Sequence, residues 1–268
     1  MSDPRPRPSR RALLLGGSGL TALTALTAAG WYLWPDGAGP DGAFRPALDG
    51  DGLLTNEYAF RNAQAPDART SPDWVATSGS LFAHDGTGST GTPDGDSPGP
   101  DSARHTGSAV FRLVTRRRDF TGCAVSARVR LQAPLTTART PAQDWDGAHL
   151  WLRYRSPQEL YALSFRRRDG HLEIKRKTPG GGGDGTEQGD YQTLAEGRHA
   201  FPYDEWHTVT ATVRDTAEGK VRLTLAIDGG TVLDAVDDDP RRITGPGGVG
   251  LRADNTALEF RDYAVTPA

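Results

Sequence analysis

Apolar and polar side chains alternate through most of this chain. Val125, Ala127, Val129 and Leu131 are separated by Ala-free polar positions Ser126, Arg128 and Arg130, and Leu150, Leu152 and Tyr154 by Trp151 and Arg153. Val209, Ala211 and Val213 alternate with Thr208, Thr210 and Thr212. Val221, Leu223, Leu225 and Ile227 alternate with Arg222, Thr224 and Ala226, and Asp228-Gly229-Gly230 then turns the chain. A period of two marks strands with one buried face, whereas an amphipathic helix would repeat every 3.6 residues. After Trp34 no stretch carries the helical period together with capping residues. The pattern predicts an all-β domain over residues 53–268, a two-sheet antiparallel sandwich of the jelly-roll type with about ten to thirteen strands.

Four stretches fall outside the alternation. Asp85–His105 and Pro179–Asp190 are almost free of apolar side chains. They bury too little to offset their ordering entropy and are expected as long exposed loops. Residues 36–52, rich in Gly, Pro and Asp, read as a linker. The fourth departure is the N-terminus, 1–35. Arg5, Arg7, Arg10 and Arg11 precede an uncharged run from Ala12 to Trp34. Positive charge before an apolar stretch holds the N-terminus in the cytoplasm, and Ser9-Arg10-Arg11-Ala12-Leu13-Leu14 resembles a twin-arginine export signal. The run would span about 34 Å as a helix at ~1.5 Å per residue, enough for a bilayer core. Thr27-Ala28-Ala29 equally offers small residues for cleavage. A cleaved signal and a retained membrane anchor both remain open; either places the rest of the chain outside the cytoplasm.

Charge and cysteine content narrow the classes. The 268 residues carry 31 basic and 34 acidic side chains, a net charge of −3. Without residues 1–35 the balance is 27 to 33, or −6. That excludes wholesale nucleic-acid binding, which needs a strongly basic face. A single cysteine, Cys123, excludes a disulfide framework and a Cys-rich zinc site.

The order of the last strands carries a resemblance. Glu205-Trp206 precedes the Val209 strand, Asp228-Gly229 makes a hairpin, and Gly248-Val249-Gly250-Leu251 leads to Leu258-Glu259-Phe260-Arg261-Asp262. This resembles concanavalin A-like jelly-roll domains, the laminin-G-like and 3-keto-disaccharide-hydrolase-like groups in particular. The resemblance implies the sandwich and says little about activity, because one fold hosts many functions. The Glu-x-Asp-x-x-Glu strand of the retaining β-glucanases is absent: none of the eight glutamates has that spacing. The close carboxylate pair that glycosidic cleavage needs is therefore missing from the pattern, which argues against catalysis.

Candidate chemistry concentrates between Trp145 and Lys177. Residues 150–180 hold eight basic and three acidic side chains, a local excess of +5 in an acidic domain. On the strand 149–155 the alternation places His149, Trp151, Arg153 and Arg155 on one face. Rings stack on sugars, and arginine forks pair with uronate, sulfate or phosphate. The ligand-binding candidates are Trp145, His149, Trp151, Arg153, Tyr161, Arg166, His171 and Glu173. The alternative, that the basic residues are solvated strand faces and the tryptophans core, fits the same pattern. Folds of this kind often hold a structural Ca²⁺, which wants six to eight oxygens. Asp49, Asp51, Asn56, Glu57, Asp254, Asn255 and Asp262 are the acid-rich positions, with Asp262 the leading ligand. The expected function is an exported or membrane-anchored carbohydrate-binding domain acting on a polysaccharide or cell-envelope glycan. A glycan hydrolase or lyase using His149, Tyr161, Glu173 and Asp146 is one alternative, and a structural surface protein another.

Overall fold

Strands form where the alternation is regular, and main-chain pairing extends them into places where it is not. A computed structural model describes residues 42–93, 109–180 and 189–268. The expected signal or anchor, residues 94–105 of the first loop and 181–188 of the second lie outside the described residues. Among the described residues no helix is long and apolar enough to cross a membrane.

Fifteen strands and one short helix are present among the described residues. They are β1 (Gly52–Asn56), α1 (Glu57–Arg61), β2 (Trp74–Ser78), β3 (Ser80–His84), β4 (Thr87–Ser89), β5 (Val110–Thr115), β6 (Cys123–Leu131) and β7 (Gly147–Ser156). There follow β8 (Glu159–Arg167), β9 (His171–Thr178), β10 (Asp190–Arg198), β11 (His207–Asp215), β12 (Val221–Ile227), β13 (Gly230–Asp237), β14 (Gly248–Asp254) and β15 (Leu258–Pro267). An eight-stranded sheet runs β1-β3-β4-β15-β6-β11-β12-β13, and a seven-stranded sheet runs β10-β9-β8-β7-β14-β5-β2. The all-β, two-sheet antiparallel sandwich predicted from the alternation is the observed fold.

The core lies between the sheets. Val125, Ala127, Val129 and Leu131 of β6 and Val209, Ala211 and Val213 of β11 face Leu150 and Leu152 of β7 and Leu163 and Phe165 of β8 within one buried cluster. Trp74 closes one end, edge-on to Tyr263 at 5.0 Å and to Phe260 at 6.1 Å.

Three expectations change. Asp85–His105 is not all loop: β4 pairs with β3 and with β15. Asp85 and Gly86 both have positive φ, 47° and 70°, and form the two-residue turn between β3 and β4. No apolar side chain is needed because Gly88 lies against the Phe260 ring, where a Cβ would come within 2.7 Å. The stretch 36–52 is also not wholly a linker. Phe44 pairs with Val265 through main-chain bonds of 2.8 and 2.9 Å and is buried with Leu48 in the core. Finally, α1 has no helical periodicity to betray it. It is set by Asn56, whose side chain accepts from Ala59 N at 3.2 Å.

Candidate functional site

Register decides which side chains share a surface. Val75, Val114, Gly250, Trp151, Ala162, Lys175 and Thr193 lie in one line across β2, β5, β14, β7, β8, β9 and β10. Their neighbours in sequence, such as Leu113, Leu251, Leu150, Leu163 and Ile174, belong to the main core. Side chains alternate across a strand, so this line is the outer face of the seven-stranded sheet. A parallel line on the same face holds Arg252, His149, Ser164, Glu173 and Glu196. Strand neighbours sit about 4.8 Å apart, so each residue touches the next.

Trp151 anchors a second, smaller apolar cluster with Val114, Tyr154, Leu160 and Ala162. Its ring stacks on Tyr154 at 5.4 Å and 12°. Arg118 lies over the Tyr154 ring at 4.8 Å, and Lys177 lies over Tyr191 at 4.9 Å. Trp151 and Tyr154 are each 4% exposed, whereas Tyr191 is 48% exposed. The expected open tryptophan is thus a covered one, and Tyr191 is the ring that meets solvent.

The second line is a chain of polar contacts. His149 Nδ1 and Ser164 Oγ lie 2.7 Å apart, and His149 Nε2 is 3.3 Å from Asp254. Arg252 donates twice to Asp254, at 2.8 and 2.9 Å. Burial would raise the Asp254 pKa, but Arg252 and His149 outweigh it and hold the carboxyl below the usual range. Burial lowers the His149 imidazole, with Asp254 acting in the opposite sense. Glu173 is ion-paired to Arg167 and, at 2.7 Å, to Lys175.

Several expected site residues go elsewhere. Arg153 does not share the Trp151 face. It has a positive φ of 47° at an irregularity between Leu152 and Ser156, which turns its side chain inward. There it donates to Ile243 O at 2.6 Å, Asp215 at 2.9 Å and Thr121 O at 3.2 Å. Tyr161 faces the other sheet: its hydroxyl donates to Asp237 at 2.7 Å and accepts from Ile243 N at 2.9 Å. Burial first, and Asp237 second, push that phenol above its ordinary range. Arg166 stacks over Tyr203 at 4.4 Å rather than joining the Trp151 line. Asp146 is buried and accepts from Arg168, Asn255 and Gln143 N. Trp145 is 41% exposed, in the turn before β7. His149, Trp151 and Glu173 share the outer face, and His171 sits at the start of β9 beside Arg198. Tyr154, Ser164 and Arg118 were not anticipated. Only the irregularity in β7 brings Tyr154 round to Trp151, and no local motif announces it.

The acids expected to meet around a Ca²⁺ are dispersed. Asp51 faces His84, Asn56 caps α1, Glu57 accepts from Gly79 N and Arg61, and Asn255 binds Asp146. Asp262 is exposed at an irregularity in β15, with φ 54°. Among the described residues the one group with metal-ligand proximity is His171, Glu173 and Glu196, their ligand atoms within 4.8 Å of one another. Arg167 and Lys175 already neutralise Glu173 there, and Arg198 contacts His171.

No family model matches the chain, and no curated protein does. Similar solved structures include the carbohydrate-binding module CBM66 from Bacillus subtilis, at 10% identity over 71% of this chain and 92% of that one, with a TM-score of 0.47. The potassium-bound carbohydrate recognition domain of Emp46p is similar at 10% identity, 87% and 97% coverage and a TM-score of 0.49. A legume lectin-like domain from Entamoeba histolytica gives 9%, 73% and 90%, and 0.47. At that distance these likenesses carry no argument about what this chain binds.

Proposed function

We propose that this chain is a carbohydrate-binding domain without chemistry of its own. It acts outside the cytoplasm and takes an anionic glycan on the outer face of the seven-stranded sheet. The observation that carries this reading is the pairing of rings with cations on one face: Lys177 over Tyr191, Arg118 over Tyr154, and Tyr154 on Trp151. Tyr191 gives an exposed stacking surface, and Arg118, the exposed cation of the two, gives the charge that selects uronate, sulfate or phosphate, while the buried Lys177 supports the Tyr191 ring from beneath. Tyr191 makes first contact because it is the exposed ring. Its register neighbours across β9 and β8, Lys177 and Leu160, are buried, so Tyr191 itself is the centre of the contact. The delivery segment rests on Arg10-Arg11 ahead of the apolar run.

The test is retention of the chain on immobilised polygalacturonate, dextran sulfate and neutral dextran. Tyr191→Ala should weaken anionic-glycan binding by about tenfold, the loss of roughly 1.4 kcal/mol. Equal retention of wild type and variant on every polymer would reject the reading, and no retention of the wild type would favour a structural surface protein.

One observation favours an enzyme, the Asp254–His149–Ser164 chain, which links a carboxylate, an imidazole and a hydroxyl. Against a lyase, Tyr161 is bonded to Asp237 between the sheets and does not reach this face. Release of reducing ends or unsaturated uronate during the same incubations would move the reading to catalysis.

A further inference from the structure

The eight-stranded sheet has its own outer face, opposite the one just described. Arg128 and Arg130 alternate with core residues Ala127, Val129 and Leu131 and so point outward from β6. Across the β6–β15 pair, Arg261 stands directly opposite Arg128. Trp206, just before β11, lies beneath all three: the guanidinium carbons of Arg261, Arg130 and Arg128 are 4.3, 5.1 and 5.8 Å from its ring centroid.

The charges are not equally matched. Arg130 is ion-paired to Glu259 and feels Asp204. Among the described residues, Arg128 and Arg261 have no ion pair, and Arg261 Nε is buried without a hydrogen-bond partner. Asp228, which lies near Thr208 on the adjoining strand, is held by His207 and by Thr208 N. Like charges directly opposite on paired strands repel, and a cation–π contact returns only about 0.5–1 kcal/mol at an exposed site. Glu259 and Asp204 are engaged by Arg130, and the two forks left without an ion pair, Arg128 and Arg261, form a set of donors that a single oxyanion can satisfy.

We propose that Arg128, Arg261 and Trp206 form an oxyanion site that binds the sulfate or carboxylate groups of an anionic polymer. The site is independent of the Tyr191 face, and the two fail separately. The anion bridges the outer nitrogens of the two guanidinium groups and removes their repulsion.

The experiment measures binding of the full-length chain to dextran sulfate, polygalacturonate and neutral dextran, alongside Trp fluorescence on addition of inorganic sulfate. Wild type is expected to bind at least one anionic polymer, with affinity falling as salt rises. Arg128→Gln/Arg261→Gln is expected to lose about tenfold or more of that affinity while Tyr191→Ala retains this component. Binding to dextran sulfate alone assigns the site to sulfate, and binding to polygalacturonate alone assigns it to carboxylate. Sulfate should change the fluorescence of wild type and leave Trp206→Phe unchanged. The thermal midpoint of the double variant should match or exceed that of wild type, since a repulsive pair has been removed. If it does not fold, Arg261→Gln alone serves the same comparison. Unaltered affinity in the arginine variants, or a fluorescence response that persists in Trp206→Phe, would overturn the proposal.

Discussion

His149 is the side chain whose protonation this fold controls most directly. It sits between Ser164 and Asp254 with little access to water, and burial keeps its pKa under the ordinary 6.5. Well above pH 6.5 the imidazole is neutral whether folded or unfolded. As pH falls below that value the unfolded chain takes up a proton that the folded chain resists, so stability declines. Asp254 adds a second, lower window. Its carboxyl is held under the usual 3.8, so its contribution is present above 3.8 and disappears as pH falls further. His84 works in the opposite sense, being raised chiefly by its hydrogen bond to Asp51. His149→Gln should therefore flatten the dependence of urea stability on pH just below 6.5. The lost slope is at most about 1.4 kcal/mol per pH unit, the value for one proton. The same slope in variant and wild type would show that the folded imidazole titrates normally.

At the scale of strands, alternation tells which residues face the core only while the period stays at two. The regular strands β6, β11 and β12 were legible for that reason, as was the Asp228-Gly229 hairpin, whose two residues have φ of 49° and 83°. In β7 the register shifts after Leu152, and every assignment beyond that point moves: Arg153 goes inward and Tyr154 joins Trp151. A single residue in the left-handed region carries no distinctive neighbour in sequence, so the shift was invisible. Strand β4 was missed for a different reason, because Thr-Gly-Ser pairs through its backbone and packs no large side chain. Glycines in strands mark such close approaches. Gly250, opposite both Val114 and Trp151, is the sharpest case: a Cβ there would lie 2.3 Å from Leu113 O and 2.9 Å from Val114 Cγ1. Gly250→Ala must spread β14 from β5 and is expected to cost about 1–3 kcal/mol. Denaturant unfolding measures it, and a neutral result would mean that the two strands have slack.

Across the molecule, the two sheets are joined by charge as well as by apolar packing. Asp237, on β13 at the edge of the eight-stranded sheet, accepts from Arg176 on β9 at 2.6 Å and from Tyr161 on β8 at 2.7 Å. Arg176 and Asp237 are each 1% exposed, and Asp239 gives Arg176 a second carboxylate at 3.1 Å. Removing one member of a buried pair leaves a charge without its counter-ion, which costs about 3–5 kcal/mol, whereas replacing both by apolar groups can be neutral. Asp239 partly shields Arg176, so Asp237→Asn is expected at about 3 kcal/mol, the low end of that range. Because the bonds run from one sheet to the other, the loss should loosen both: amide exchange in β8 and β9 and in β12 and β13 should rise together. Asp237→Leu combined with Arg176→Met tests whether the charge itself matters. Recovery of stability in that double variant identifies the penalty as the stranded guanidinium, while a further loss would show that the ionic contact holds the sheets together and apolar packing alone does not.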